Sequence, residues 1–427
     1  MTIIQKLHRR IEESETAISE YARNLIRFPS ISGNEKEAQH YVKECMVQLG
    51  STTVDVWDPD FDELKSHEAF ISKRDSFQGS PNVVGTWKGS GGGRSLILNS
   101  HIDIVPEGDP AEWKFSPFGG DLDNGILYGR GVSDMKGSKA AIFGAIQAIR
   151  DEGITLRGDL IVQSVIEEET GSAGSLACAL RGYSADAAII PEPTGFRICP
   201  AQQGSTWFRL TVKGKAAHAG QRYLGVSAIE KSVPLLDAIA RFETHLNTTY
   251  ASPLYKDVPI AYAINVGTIH GGNWASSVPE KVVIEGRMGI PPQISLKEGW
   301  KLFEDWIQEN ASKNEWLAAN KPEIEWFDSW WGPAMIPPDH PIVSCVQDAC
   351  QGTLDHTPKI VGTPWATDGR ILTEFANTPA LVFGPGTSAH CPDEFIPLKD
   401  LVTYAKLLAT VIINWCQGSD KCNFQIT

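Results

Sequence analysis

Between about residues 206 and 328 the apolar segments run strand, helix, strand, strand, helix, strand, and this order interrupts a different one. The strand candidates are 206–214, 260–270, 278–288 and 322–328, and the helices are 224–244 and 296–318. Such a β-α-β-β-α-β order is that of a ferredoxin-like domain. Before it, strand-like and helix-like segments alternate. Helical periodicity covers 14–28 and 35–49, broken by Pro29-Ser30-Ile31-Ser32-Gly33. Strand candidates follow at 83–87, 95–100, 159–166 and 187–190, with a helix at about 135–151. Beyond Pro333 a helix (341–351), the strand Ala380-Leu381-Val382-Phe383 and a helix (398–416) restore that first pattern. Alternation of this kind predicts an α/β domain with a mainly parallel sheet covered on both faces. The chain therefore divides into a larger domain, 1–198 plus 332–427, and an inserted α+β domain, 199–331. Residues 58–80, rich in Asp, Lys, Ser and Phe, read as a long surface excursion.

Two domains suit 427 residues, since a typical domain has about 100–200. A formal net charge of −14 argues against nucleic acid and against an anionic membrane surface as partners. No apolar run approaches the ~20 residues of a membrane span. Residues Met1 to Glu13 form a charged amphipathic helix without the apolar core of a secretory signal. The eight cysteines show no CxxC pair. Reduced thiols and a cytoplasmic location are expected, with Cys416 and Cys422 unpaired like the rest.

Five segments carry chemistry, and each ends a strand or opens a helix. His101-Ile102-Asp103 follows the apolar run Ser95 to Asn99. A histidine there can ligate a metal while the aspartate holds its other ring nitrogen. Gly129 to Gly137 places Asp134 just before a helix, where taken singly it is a helix cap. Glu167-Glu168-Glu169 ends an apolar strand. Three adjacent carboxylates repel each other unless solvated or neutralised by a cation, and one of them can serve as a general base. Glu192 stands between Pro191 and Pro193 after a strand, and His390 lies beyond the last one. Each has an ordinary structural explanation. Together they converge on one sheet edge, where open α/β folds place their sites. Two histidines and several carboxylates form a mixed N/O set suited to Zn²⁺, Co²⁺ or Mn²⁺. The set is large enough for two ions about 3.5–4 Å apart with a carboxylate between them.

With these segments in order, and with Arg27-Phe28-Pro29-Ser30-Ile31-Ser32-Gly33 ahead of them, the chain resembles the dinuclear zinc hydrolase family of acetylornithine deacetylase, succinyl-diaminopimelate desuccinylase, aminoacylase and glutamate carboxypeptidase. The resemblance implies an aminopeptidase-like catalytic domain, two divalent ions with zinc foremost, and an inserted lid that forms a homodimer. It implies that His101, Asp134 and Glu192 hold one ion. Asp134 would bridge to a second ion, completed by Glu169 and His390. It assigns Glu168 as general base and Asp103 as the residue orienting His101. Lys213 to Gly220 resembles the lid segment, so His218 is implied to stabilise the oxyanion in the partner's site. Gly271 to Pro279 resembles the lid turn, with Ser276 where many members carry Asn. Arg287 falls where a substrate carboxylate is often bound, and Thr367-Asp368-Gly369-Arg370 resembles an element beside the site, with Arg370 a substrate contact.

The implied reaction is hydrolysis of an N-acyl amide on a small molecule, first of the acetylornithine deacetylase type. The alternatives are a deformylase of an N-formyl aminopyrimidine or other heterocycle, and a dipeptidase or carboxypeptidase. Thirteen tryptophans, among them Trp113, Trp274, Trp330, Trp331 and Trp365, leave room for an aromatic substrate. A non-catalytic scaffold is disfavoured because the ligands and base are all present. A serine hydrolase is disfavoured because no G-x-S-x-G elbow occurs.

Overall fold

A computed structural model describes residues 1–418, so Cys422 lies outside the described residues. The chain forms two compact units. The first comprises Met1–Pro200, Met335–Val361 and the residues from Thr367 on; the second comprises Ala201–Ala334 and Gly362–Ala366. The short return through Gly362–Ala366 has no periodic pattern of its own, which hides it in the sequence. The described cysteines form no disulfide. No described helix is long and apolar enough to cross a membrane.

In the first unit the sheet runs, in spatial order, Thr53–Trp57, Asn82–Trp87, Leu160–Val165, Leu96–His101, Ala187–Ile190, Ala380–Val382 and Ile198–Gln202. The four strands from Leu160–Val165 to Ala380–Val382 are parallel neighbours, and the flanking pairings are antiparallel. Leu96–His101 and Leu160–Val165 are buried at every residue. Successive side chains point to opposite faces. Leu96, Leu98, Leu160, Val162, Ala187 and Ile189 therefore enter one core cluster, while Ile97, Ile161, Ala188 and Ile190 enter the other. The helices Glu15–Ile26, Gly137–Asp151 and Leu398–Gln417 supply the first cluster with Leu25, Ile142 and Leu408, all at most 1% exposed. Burying each such side chain contributes roughly 1.5–3 kcal/mol before entropy is charged.

Several elements depart from the sequence expectation. The helix expected from about 135 begins at Gly137, because Asp134 and Met135 have non-helical dihedrals. Helices Ala173–Leu180 and Gly369–Phe375 are short and mostly buried, and they carry no amphipathic period to betray them. The 58–80 excursion is no loose surface loop: Leu64, Ala69, Ile71 and Phe77 are buried, and Phe61, Phe70 and Phe77 pack ring against ring.

The second unit has a four-stranded antiparallel sheet ordered Ile264–Gly271, Lys281–Ile290, Gly204–Lys213, Glu323–Trp331. Helices Ala228–Thr249 and Leu296–Ser312 bury Leu235, Ile239, Phe303 and Ile307 against Phe208, Leu210 and Ile284 of the sheet. The expected helix 296–318 stops at Ser312, and Asn314 caps a separate turn, Glu315–Ala319.

Candidate metal centre

The parallel strands of the first unit deliver their C-terminal ends to one place. His101 is the last residue of its strand and is 1% exposed. Its Nε2 lies 3.0 Å from Asp134 Oδ1 and 3.8 Å from Glu192 Oε1. His390 Nε2 lies 3.3 Å from Asp134 Oδ2 and 3.1 Å from Glu169 Oε1. Asp134 thus turns one oxygen to each histidine. Ligand atoms of His101, Asp134 and Glu169 lie within 4.8 Å of one another, as do those of His101, Glu168 and Glu192.

Asp134 is presented by an irregular turn rather than by the helix that follows, and that helix has no side-chain cap. Gly131 has φ +80°, and a Cβ there would come within 2.5 Å of Ile104 Cγ2. The turn is held from behind by Glu394, which accepts from the backbone N–H groups of Gly131 (3.0 Å), Ser133 (2.9 Å) and Asp134 (3.1 Å), and from Arg130 Nη1 at 2.8 Å. The sequence offers no pattern that singles out Glu394, 260 residues from Asp134.

Asp103 works in a way its spacing did not show. Its main-chain carbonyl is 2.9 Å from His101 Nδ1, whereas its carboxylate is 3.7 Å from that atom. The carboxylate instead accepts from the backbone N–H groups of Glu168 (3.2 Å) and Glu169 (3.1 Å). Asp103 therefore orients the ring with its backbone and ties the acidic turn to it with its side chain.

Electrostatics follow from burial in an acidic cluster. Burial disfavours charge on Asp134, but hydrogen bonds from His101 and His390 outweigh it and hold the carboxyl below the usual range. Burial opposes charge on His101 too, yet Asp134, Glu192 and Asp103 raise its pKa. Hydrogen bonds to Asp134 and Glu169 raise His390 to about 10. Burial pushes Glu168 and Glu192 up, with neighbouring carboxylates adding to the effect. It raises Asp103 to about 8.

The donor set fits two divalent cations. Oxygen and imidazole donors about 3–4 Å apart suit ions that bind each at about 2.0–2.2 Å. Glu192 Oε1 is buried with no hydrogen-bond partner, an orphan that a cation would satisfy. A cluster of adjacent carboxylates also needs a counter-charge.

The other sequence candidates are distributed between the two units. Arg370 is in the first unit and 2% exposed; its Nη2 donates to Ala69 O at 3.0 Å, and burial lowers its pKa to about 10. Its neighbour Asp368 accepts from Ser175 Oγ at 2.7 Å and keeps Oδ1 without a partner. His218, Ser276 and Arg287 are in the second unit. His218 is exposed, and its Nδ1 accepts from Gly220 N at 3.1 Å. Ser276 O accepts from Ala219 N at 2.9 Å, so the His218 and Ser276 segments are paired. Arg287 lies mid-strand, opposite Trp207 and Asn265, and burial lowers its pKa.

Comparison with known proteins bears on the family and the fold. Residues 97–414 match the model of peptidase family M20/M25/M40. An N-formyl-4-amino-5-aminomethyl-2-methylpyrimidine deformylase of Bacillus subtilis (strain 168) is 31% identical, covering 97% of this chain and 98% of its own length. An acetylornithine deacetylase of Salmonella typhimurium is 27% identical, covering 93% and 97%. Among solved structures, aminopeptidase PepT from Bacillus cereus superposes with a TM-score of 0.72 at 20% identity, covering 93% of this chain and 98% of that one. The YXEP protein of Bacillus subtilis, described as a dinuclear metal-binding peptidase, superposes at 0.65 and 15% identity, covering 94% and 98%.

Proposed function

The chain belongs to peptidase family M20/M25/M40, and from that premise we propose that this metal-dependent hydrolase removes a formyl group from an aminomethyl-substituted aminopyrimidine or a close heterocyclic analogue. The deformylase relatives, matched over nearly the whole of both chains, support that choice of substrate. The sequence alone favoured the acetylornithine type and kept the deformylase as an alternative. The higher identity to the deformylases reverses that order. The single observation that carries the hydrolytic chemistry is Asp134, shared between His101 and His390.

In this reading His101, Asp134 and Glu192 would hold one ion, and Asp134, Glu169 and His390 the other. Two divalent ions held there would supply Lewis acidity. Zinc is the first choice of metal, with cobalt or manganese as substitutes. Glu168 removes a proton from the attacking water and returns it to the leaving amine. His218 donates to the oxyanion from a second copy, which makes the second unit a lid and the assembly a homodimer. Arg287, Ser276 and Arg370 belong to the substrate side. The protein would work on a small N-acylated molecule in the cytoplasm.

A panel of N-formyl-4-amino-5-aminomethyl-2-methylpyrimidine, acetylornithine and acyl amino acids, assayed on Zn²⁺-, Co²⁺- and Mn²⁺-loaded protein, tests this. Preferred turnover of the formyl pyrimidine is expected. Faster turnover of acetylornithine would return the reading to the deacetylase, and insensitivity to chelation would sink the metal chemistry.

A further inference from the structure

Glu167 is the member of the Glu167-Glu168-Glu169 run whose carboxylate is taken up away from the metal-ligand cluster. Its side chain is fully buried, and its φ is +63°. It accepts hydrogen bonds from Ser72 Oγ at 2.6 Å, Thr170 Oγ1 at 2.7 Å, Arg74 Nη1 at 3.3 Å, and Ser32 Oγ. Arg74 also reaches a second buried carboxylate, Glu35, at 3.4 Å, and Glu35 accepts from Ser80 Oγ at 2.7 Å. Packing repeats the theme. Gly171 has φ +150°, and a Cβ there would come within 2.7 Å of Ile71 Cγ1.

Ser72, Arg74, Ile71 and Ser80 all belong to the excursion that the sequence presents as surface. We propose that Glu167 is a positioning residue, and that the 58–80 excursion holds Glu168 and Glu169 in working geometry through it. The proposal rests on the hydrolase reading above. A left-handed non-glycine residue persists only where its surroundings over-determine it. Here four side-chain donors do so. On the other side of the turn, the Asp103 carboxylate takes the Glu168 and Glu169 amides. The two working carboxylates are thus clamped between two buried carboxyl side chains, one bound to their backbone and one to the excursion. Releasing either clamp moves the base relative to its substrate, and displacements of about 1 Å cost roughly 100-fold in rate.

The test uses the full chain. Glu167→Asp keeps the carboxyl group but withdraws it by one methylene from Ser72 and Arg74. Ser72→Ala removes one donor from a half-buried loop position. For both, kcat, KM, Co²⁺ affinity by visible absorption and the thermal midpoint are measured. Expected for Glu167→Asp are a kcat lower by about 100-fold, a KM within about threefold, and Co²⁺ binding about tenfold weaker. Ser72→Ala shows the same pattern in smaller measure. Wild-type kcat and Co²⁺ affinity in folded Glu167→Asp protein overturn the proposal, whatever the thermal midpoint does. If Glu167→Asp does not fold, Ser72→Ala decides on the same readouts. If the wild-type protein hydrolyses no amide, the hydrolase reading falls, and the Co²⁺ affinities alone decide the positioning role.

Discussion

Asp134 meets His101 at 3.0 Å through Oδ1 and leaves Oδ2 facing a second imidazole. A carboxylate divided in this way is what two adjacent cations require, since each gains a ligand without a second buried charge. Asp134→Ala should therefore remove both halves of the centre at once. Metal analysis after dialysis is expected to find less than one ion per chain, with activity down by at least about 100-fold.

Glu168→Gln separates chemistry from metal binding. The substitution is nearly isosteric and leaves His101, Asp134, Glu169, Glu192 and His390 in place. Retained metal with kcat lower by about 10²–10⁴-fold is expected, the range for loss of a general base. Metal analysis and steady-state kinetics on the same preparation check it.

Metal binding should release protons. In the metal-free protein hydrogen bonds to Asp134 and Glu169 raise His390 to about 10, and a ligating imidazole must be neutral. Metal affinity is therefore expected to rise with pH up to about 10. Stability of the metal-free protein follows the opposite sense. The His390 contribution is fully present below the unfolded-state value near 6.5 and is lost as pH rises through about 10. Half of the side chain is exposed, so solvent screening keeps the stability effect small. Calorimetry in buffers of differing ionisation enthalpy measures the protons. Thermal midpoints of chelated protein measure the stability.

Glu394→Ala removes an acceptor for three backbone N–H groups and the carboxylate that pairs with Arg130, all behind Asp134. Stranding a buried guanidinium costs about 3–5 kcal/mol. The expected outcome is a large loss in denaturant stability, with weakened metal binding in whatever remains folded. Glu394→Gln, which keeps an acceptor oxygen, should recover part of it.

Period and order in the chain were enough to establish much of this protein. Apolar runs of strand length alternating with helices dictated a mainly parallel sheet, because such runs can be buried only with both faces covered. The β-α-β-β-α-β interruption marked the inserted unit. His101, Asp134, the Glu167–Glu169 run, Glu192 and His390 were visible because each sits where a strand ends or a helix begins.

Tertiary structure decided which atom does what. Spacing placed Asp103 beside His101, but only the fold shows its carboxylate on the Glu168 and Glu169 amides. Glu394 and Arg74 act across separations that no local pattern encodes, 260 residues from Asp134 and 93 from Glu167. The excursion of 58–80 looked solvated because its charged residues outnumber its apolar ones in sequence. Packing sorted them, burying Ile71 and Phe77 and turning Ser72 and Arg74 onto a buried carboxylate. Periodicity reports which face is buried. It carries no record of which distant partner a buried polar atom will find, and a metal centre is made of those partnerships.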